Sequence, residues 1–334
     1  MQKKFFIIMT LTLLVLLSGC SQKVNVRVLE PAEIDRVAYT KKITVTDFSN
    51  DRVGLSRKIE ANLANVAIDN KNYFTMISRN DFEKIIKEQK IQNSGLVEQG
   101  TAVKVGELIG AQAIISGNVG SPSSQDSSFY ETRARCADKK CKTLTYYKVR
   151  CVNRAVGLWA EVRIVDVQKG DVIFADRLSK NRVYKHCSDY SSALPSRDMA
   201  AQTLAETMAD EFTYRLSPRY RTFGVVLLEE PDLDYSDKQE ELLEVSLKYI
   251  EHGRYDKAEQ FLTQLIDSTA SQSYVAFYNL GVVKEADGKY TEAKEYYEMA
   301  DRLMMEPVKA INEAVVRIER LIAKAKKSQA QLAR

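Results

Sequence analysis

Histidine is almost missing from this chain: His186 and His252 are the two in 334 residues. Imidazole is the commonest general base near neutral pH, so acid–base catalysis of the usual kind has little to draw on. HExxH, G-x-S-x-G, the Walker lysine loop and GxGxxG are all absent. That removes the familiar signatures of zinc peptidases, serine hydrolases, nucleotidases and dinucleotide enzymes. Carboxylates are plentiful, yet none pairs distinctively. Trp159 is the single tryptophan; it and the tyrosines read as core or surface filler, not as a ligand cage. No catalytic residue, metal or cofactor is therefore expected, and the chain reads as a non-enzyme. Proline is scarce, at six, and 45% hydrophobic with 28% charged residues is a globular composition. An excess of one charge is lacking too: a formal net charge of +4 makes no electrostatic case for nucleic acid. Beyond residue 17 no stretch approaches the roughly 18 apolar residues of a membrane helix.

What is present begins at the N-terminus. Lys3 and Lys4 precede an apolar run from Phe5 to Leu17, which ends in Leu17-Ser18-Gly19-Cys20. A basic start, a short apolar stretch and small residues before a cut form a secretory signal. Thirteen apolar residues are few for a span, which needs about 20. The tetrapeptide resembles the lipobox of bacterial lipoproteins. The resemblance implies a signal peptide over 1–19, cleavage before Cys20, and acylation of its sulfur and new amino group, palmitate included. The membrane would then be held through N-terminal lipid and not through a helix. Ser21 follows the cysteine, and in such lipoproteins a non-aspartate there goes with sorting to the outer membrane, facing the periplasm.

Four further cysteines remain: Cys136, Cys141, Cys151 and Cys187. An even number in an oxidising compartment reads as two disulfides, with three possible connectivities. A four-thiolate zinc site is the alternative. Its usual signature is paired CxxC, whereas here four, nine and thirty-five residues intervene. His186, beside Cys187, reads as an exposed loop histidine, and His252 as a cation at a helix end.

Residues 20–39 lack a helical period. Val24, Val26 and Val28 alternate with polar residues before Pro31, so this stretch reads as a tether with one short strand. Residues 40–228 alternate strand and helix. Ile43 and Val45 mark a strand by period two, Leu55, Ile59, Leu63 and Val66 a helix face, and Tyr73 to Ile77 a second strand. Asn80 or Asp81 can cap a helix that buries Phe82, Ile85 and Ile86. A loop over 91–101 and a short helix to Ile109 lead to a central strand, Ala113–Val119. Residues 121–151 form a polar hairpin insertion, with strand pieces near 128–136 and 143–151 and Cys136 and Cys141 flanking its tip. Val156 to Ile164 is a long strand, Val172–Leu178 its return, and 180–196 a polar loop. A long amphipathic helix from Arg197 closes an α/β domain in which helices pack on a mixed sheet. Residues 229–238 read as an acidic linker.

An internal repeat follows over 239–334. Gly253-Arg254-Tyr255-Asp256-Lys257-Ala258-Glu259 reappears as Gly288-Lys289-Tyr290-Thr291-Glu292-Ala293-Lys294, offset by 35 residues. This resembles tetratricopeptide repeats, whose period is about 34. Ala258 and Ala293 stand where the helices of a unit approach closely, with Tyr255 and Tyr290 in the turn. Leu280-Gly281, Ala300 and Pro307 match further positions; Ser246 and Leu265 depart from them in the first unit. Residues 308–326 read as a C-terminal capping helix. The resemblance implies an all-α domain of two units with a groove for a protein segment, in which Asn279 and Lys284 are candidate contacts.

Four stretches of the α/β domain resemble the curli-secretion lipoprotein (CsgG-like) family. They are Ile43-Thr44-Val45-Thr46-Asp47-Phe48; Phe74–Ile77 with Arg79; Gly110 to Val119; and Val162-Arg163-Ile164-Val165-Asp166-Val167 to Gly170. In the secretion channels of that family each subunit gives two hairpins to a shared outer-membrane barrel, built from strands of about 9–11 residues. Here the 128–151 hairpin carries Glu131, Arg133, Arg135, Lys148 and Arg150 on one face and no Leu, Ile or Phe on the other. Both alternations of 178–194 are broken by Lys180, Arg182 or Lys185. The leading expectation is a non-enzymatic, lipid-anchored adaptor of the cell envelope with protein partners, able to form a homo-oligomer. The alternative is a subunit of a curli-like outer-membrane secretion channel.

Overall fold

The computed structural model describes residues 22–80, 84 and 99–333. The signal segment, Cys20, Ser21 and the helix expected to bury Phe82, Ile85 and Ile86 lie outside the described residues. The chain forms two compact units: one from the described residues up to Glu30 with Tyr220–Gln329, the other from Pro31–Arg219 with Ala330–Arg334.

The α/β unit is a mixed sheet with packed helices. Strands β2 (Lys42–Val45), β5 (Thr75–Met76) and β6 (Ala113–Val119) are mutually parallel across β2, and β6 continues antiparallel into β8 (Leu144–Asp166). Strands β7 (Ser123–Cys136) and β9 (Asp171–Cys187) pair with opposite sides of β8. A short hairpin, β3 (Ala67–Ile68) with β4 (Lys71–Asn72), stands apart. Ala113–Gly117 are all buried, as the largely apolar run Ala113-Ile114-Ile115 suits a central strand. Helices α2 (Leu55–Ala64) and α4 (Arg197–Leu216) pack together, with Lys58 paired to Glu206 and Asn62 bonded to Asp210 along their exposed seam. Their inner faces, Leu55, Ile59 and Leu63 with Leu204, Met208 and Phe212, are buried, each worth about 1.5–3 kcal/mol. Helix α3 (Gln99–Ile109) packs on β6 and β8. Asp51 starts α2 by accepting from the backbone N–H of Leu55 and Ser56, both at 2.8 Å.

Two expectations for this unit change. The pieces near 143–151 and 156–164 are one strand, because Val152–Ala155, poor in apolar pattern, are still paired by backbone to β7 on one side and β9 on the other. The polar stretch after residue 180 is not loop until Cys187, for the same reason; His186 is therefore a half-buried strand residue.

The second unit holds five helices, α5 (Asp237–Glu251), α6 (Tyr255–Ser268), α7 (Tyr274–Ala286), α8 (Tyr290–Leu303) and α9 (Lys309–Leu332), and a two-stranded sheet. A short α1 (Asp35–Ala38) precedes β2 in the α/β unit. The two strands are β1 (Lys23–Glu30) and β10 (Arg219–Val226). Within 20–39, read as a tether with one short strand, Lys23–Glu30 is thus an eight-residue strand. Val24, Val26 and Val28 enter the same apolar core as the helices, and burial of that face is what orders the segment. No helix among the described residues is long and apolar enough to cross a membrane.

Candidate interaction surfaces

The repeated signature occupies equivalent points in two helix pairs. Gly253 and Gly288 follow α5 and α7 at φ +68° and +77°, a left-handed conformation that glycine adopts without strain. Ala258, Ala293 and Ala300 are fully buried. A Cβ on Gly281 would lie 2.6 Å from the Tyr297 ring, so α7 and α8 approach there only because the side chain is absent. Leu280 is buried, Tyr255 and Tyr290 are half-buried at the first positions of α6 and α8, and Pro307 is exposed between α8 and α9.

The two groove candidates are not on a groove. Helix α7 is buried at every residue from Val275 to Glu285, its apolar residues being spread around the helix and its polar ones paired inside. Asn279 Oδ1 accepts from the Leu228 N–H at 3.0 Å, and its Nδ2 donates to the Leu228 carbonyl at 2.7 Å. The Lys284 ammonium lies 2.7 Å from both Glu259 and Glu292. Burial alone would lower its pKa, but the hydrogen bonds to these carboxylates prevail and raise it. Both side chains hold the unit together and neither is available to a partner.

Two further clusters had no local sequence signal. Glu285, fully buried, accepts from Nε and Nη2 of Arg317, each at 2.8 Å, and from the Tyr297 hydroxyl at 2.5 Å, joining α7, α8 and α9. Asp232, in the expected linker, accepts from Ser273 Oγ at 2.8 Å and from the Tyr274 N–H at 2.5 Å. It therefore caps α7 from a distance of about forty residues, where an anion suits the exposed N–H groups and the dipole.

The surface of the helical unit does have clefts. One of about 470 Å³ is lined by Ile266, Phe277, Leu280, Tyr296, Met299 and Leu303, between α6, α7 and α8. Another, of about 580 Å³, is charged and bordered by Glu30, Arg221, Arg320 and Lys324. Burial raises the Glu30 pKa, but hydrogen bonds and attraction from Lys324 and Arg221 outweigh it and the net shift is downward.

In the α/β unit the outer parts of β7, β8 and β9 form a three-stranded blade. Its base buries Val156, Leu158 and Ala160; its far end carries both disulfides. Cys151 and Cys187 are cross-strand neighbours of β8 and β9, fully buried, with Cα atoms 4.0 Å apart. Cys136 and Cys141 close the exposed β7–β8 tip, with Cα atoms 4.7 Å apart. This selects one of the three connectivities. Glu131 sits between Arg133 and Lys185, and Arg133 also reaches Asp189 at 3.1 Å. These partners hold the Glu131 carboxyl below its ordinary range, the Lys185 hydrogen bond foremost. Asp138 accepts from the N–H groups of Lys140, Lys142 and Thr143 and from the Thr143 hydroxyl. Neither face of the 129–136 and 144–150 strands is continuously apolar: Tyr130 and Tyr146 share one with Lys148 and Arg150, Tyr147 shares the other with Arg133 and Arg135.

No curated protein matches this sequence. Residues 14–127, about a third of the chain, match the family described as curli production assembly/transport component CsgG, the family that the β2, β5 and β6 stretches resemble.

Proposed function

We propose that this protein is a lipid-anchored, non-enzymatic adaptor of the cell envelope. The observation that carries the reading is the match of residues 14–127 to an assembly and transport family, a stretch that includes the lipobox-like Leu17–Cys20. The anchor is N-terminal lipid on Cys20, the location the periplasmic face of the outer membrane, and the helical unit a pair of tetratricopeptide units closed by α9. The partner-binding surface of that unit is the apolar cleft at Phe277, Tyr296 and Met299, since Asn279 and Lys284 are buried. It takes an apolar segment of an envelope protein, while the α/β unit docks the adaptor on its machine.

The test is site-specific photocrosslinking from position 296 in living cells. A discrete adduct with an envelope protein, lost on Met299→Glu in a chain that still folds, is the expected result. Adducts unchanged by Met299→Glu would remove the cleft from the reading. Labelling with radioactive palmitate that disappears on Cys20→Ala checks the anchor separately.

A second reading is favoured by one feature. β7 and β9, 14 and 17 residues long, each pair on one side only among the described residues. Such edges favour association between copies, as a ring-forming secretion-channel subunit would require. Native mass of the lipidated protein in mild detergent separates the two: many subunits for the channel, a monomer or dimer for the adaptor.

A further inference from the structure

We infer that the disulfide-stapled β7–β8 tip is a docking site for an anionic lipid surface. Residues 128–151 contain seven cations, Arg133, Arg135, Lys139, Lys140, Lys142, Lys148 and Arg150, against two acids, Glu131 and Asp138. Both acids are engaged: Glu131 by Arg133 and Lys185, Asp138 by the backbone of the turn. Arg133 is occupied in turn by Glu131 and Asp189. The other six cations are exposed, and no ion pair is found for any of them among the described residues. The near-neutral charge of the whole chain conceals this concentration, because it is offset by acids elsewhere.

Large apolar side chains share the same surface. Tyr130 and Tyr146 are each 67% exposed, Leu144 50% and Tyr147 41%. Tyrosines with an apolar ring and a polar tip settle at headgroup depth, and lysine and arginine beside them are attracted to anionic leaflets within a Debye length. The cations surround the tip on both faces and in its turn, each of the six exposed to solvent. A diffuse, laterally mobile array of phosphates fits such a display better than a shaped acidic protein does. The staple matters to this role. Cys136–Cys141, with Asp138 organising the turn between them, holds Lys139, Lys140 and Lys142 together without an apolar core beneath, so little ordering entropy remains to be lost on contact. The strands lack an apolar face, which makes the contact a surface docking and not a span.

The inference stands independently of lipidation at Cys20, so it is tested on the full chain carrying Cys20→Ser. Co-sedimentation with vesicles of phosphatidylcholine alone sets the contribution of the apolar leader. Added phosphatidylglycerol is expected to raise the bound fraction. Lys139→Ala/Lys140→Ala/Lys142→Ala, all exposed and outside the core, is expected to lower partitioning on the anionic vesicles about tenfold, as is salt at about 0.5 M, with no change on neutral ones. Tyr146→Trp is expected to shift its emission to the blue on the anionic vesicles. Equal partitioning of the triple variant overturns the proposal. So does tip-dependent binding to soluble polyglutamate that matches vesicle binding while Tyr146→Trp emission stays put, because that outcome assigns the tip to acidic polypeptide.

Discussion

The side-chain amide of Asn279 completes both backbone hydrogen bonds of Leu228, as donor to its carbonyl and acceptor from its N–H. A buried helix residue thereby satisfies the backbone of the segment that follows β10. Asn279→Ala leaves those two groups without partners. A loss of about 1–3 kcal/mol is expected, read as a lowered midpoint in urea with an unchanged slope. An Asn279→Ala chain as stable as the parent would mean that Leu228 finds water instead.

Glu285 and Arg317 form the buried charge pair of the helical unit, with Tyr297 completing the carboxylate. Arg317→Met strands a fully buried carboxylate and should cost about 3–5 kcal/mol. Replacing both, Glu285→Met with Arg317→Met, should recover much of that loss, since two apolar side chains need no partner. A double-mutant cycle in denaturant gives the coupling directly.

The two disulfides should differ in value. Cys151–Cys187 spans 36 residues and Cys136–Cys141 five. Loop-closure entropy gives about 4 kcal/mol for the first and about 2 for the second. Serine pairs at each site, compared by thermal melting, should preserve that order. The smaller effect of Cys136→Ser/Cys141→Ser should be confined to exchange protection at the tip.

Asp138 organises the tip by accepting four hydrogen bonds. The Thr143 hydroxyl comes first among the causes that depress its pKa to about 2. A folded pKa below the unfolded value of about 3.8 means its contribution is present above that value and lost as pH falls through about 2. The Thr143 and Lys142 amide resonances should titrate together with a midpoint near that pH. Asp138→Asn should abolish the titration and leave the rest of the spectrum in place.

Much of this was legible in the residues. Ile43 and Val45 announce a strand by period and Ala113–Val119 by its apolar character, and the inner face of the helix from Arg197 was already clear. What escaped was long-range. Val24, Val26 and Val28 show the alternation of a strand, but nothing near them in sequence shows that β10 completes it. Asn279 and Lys284 are polar, and polarity on a helix reads as surface. Only the packing reveals that α7, covered on all sides, has no surface to offer from Val275 to Glu285. The single strand from Leu144 to Asp166 was hidden because Asn153 and Arg154 break the apolar pattern while the backbone ladder does not need it.

The pairing of β1 with β10 also sets an order of events. Gln22 and Glu229, which meet at the end of this pair, are 207 residues apart, and the helices that bury Val24, Val26 and Val28 come later still. A chain emerging amino end first must keep β1 waiting with an open edge until about two thirds of it, as far as β10, has appeared. Contacts of such separation form slowly, and an unpaired valine strand is a site for mispairing in the interval. The earliest strand of the chain is thus among the last to find its place.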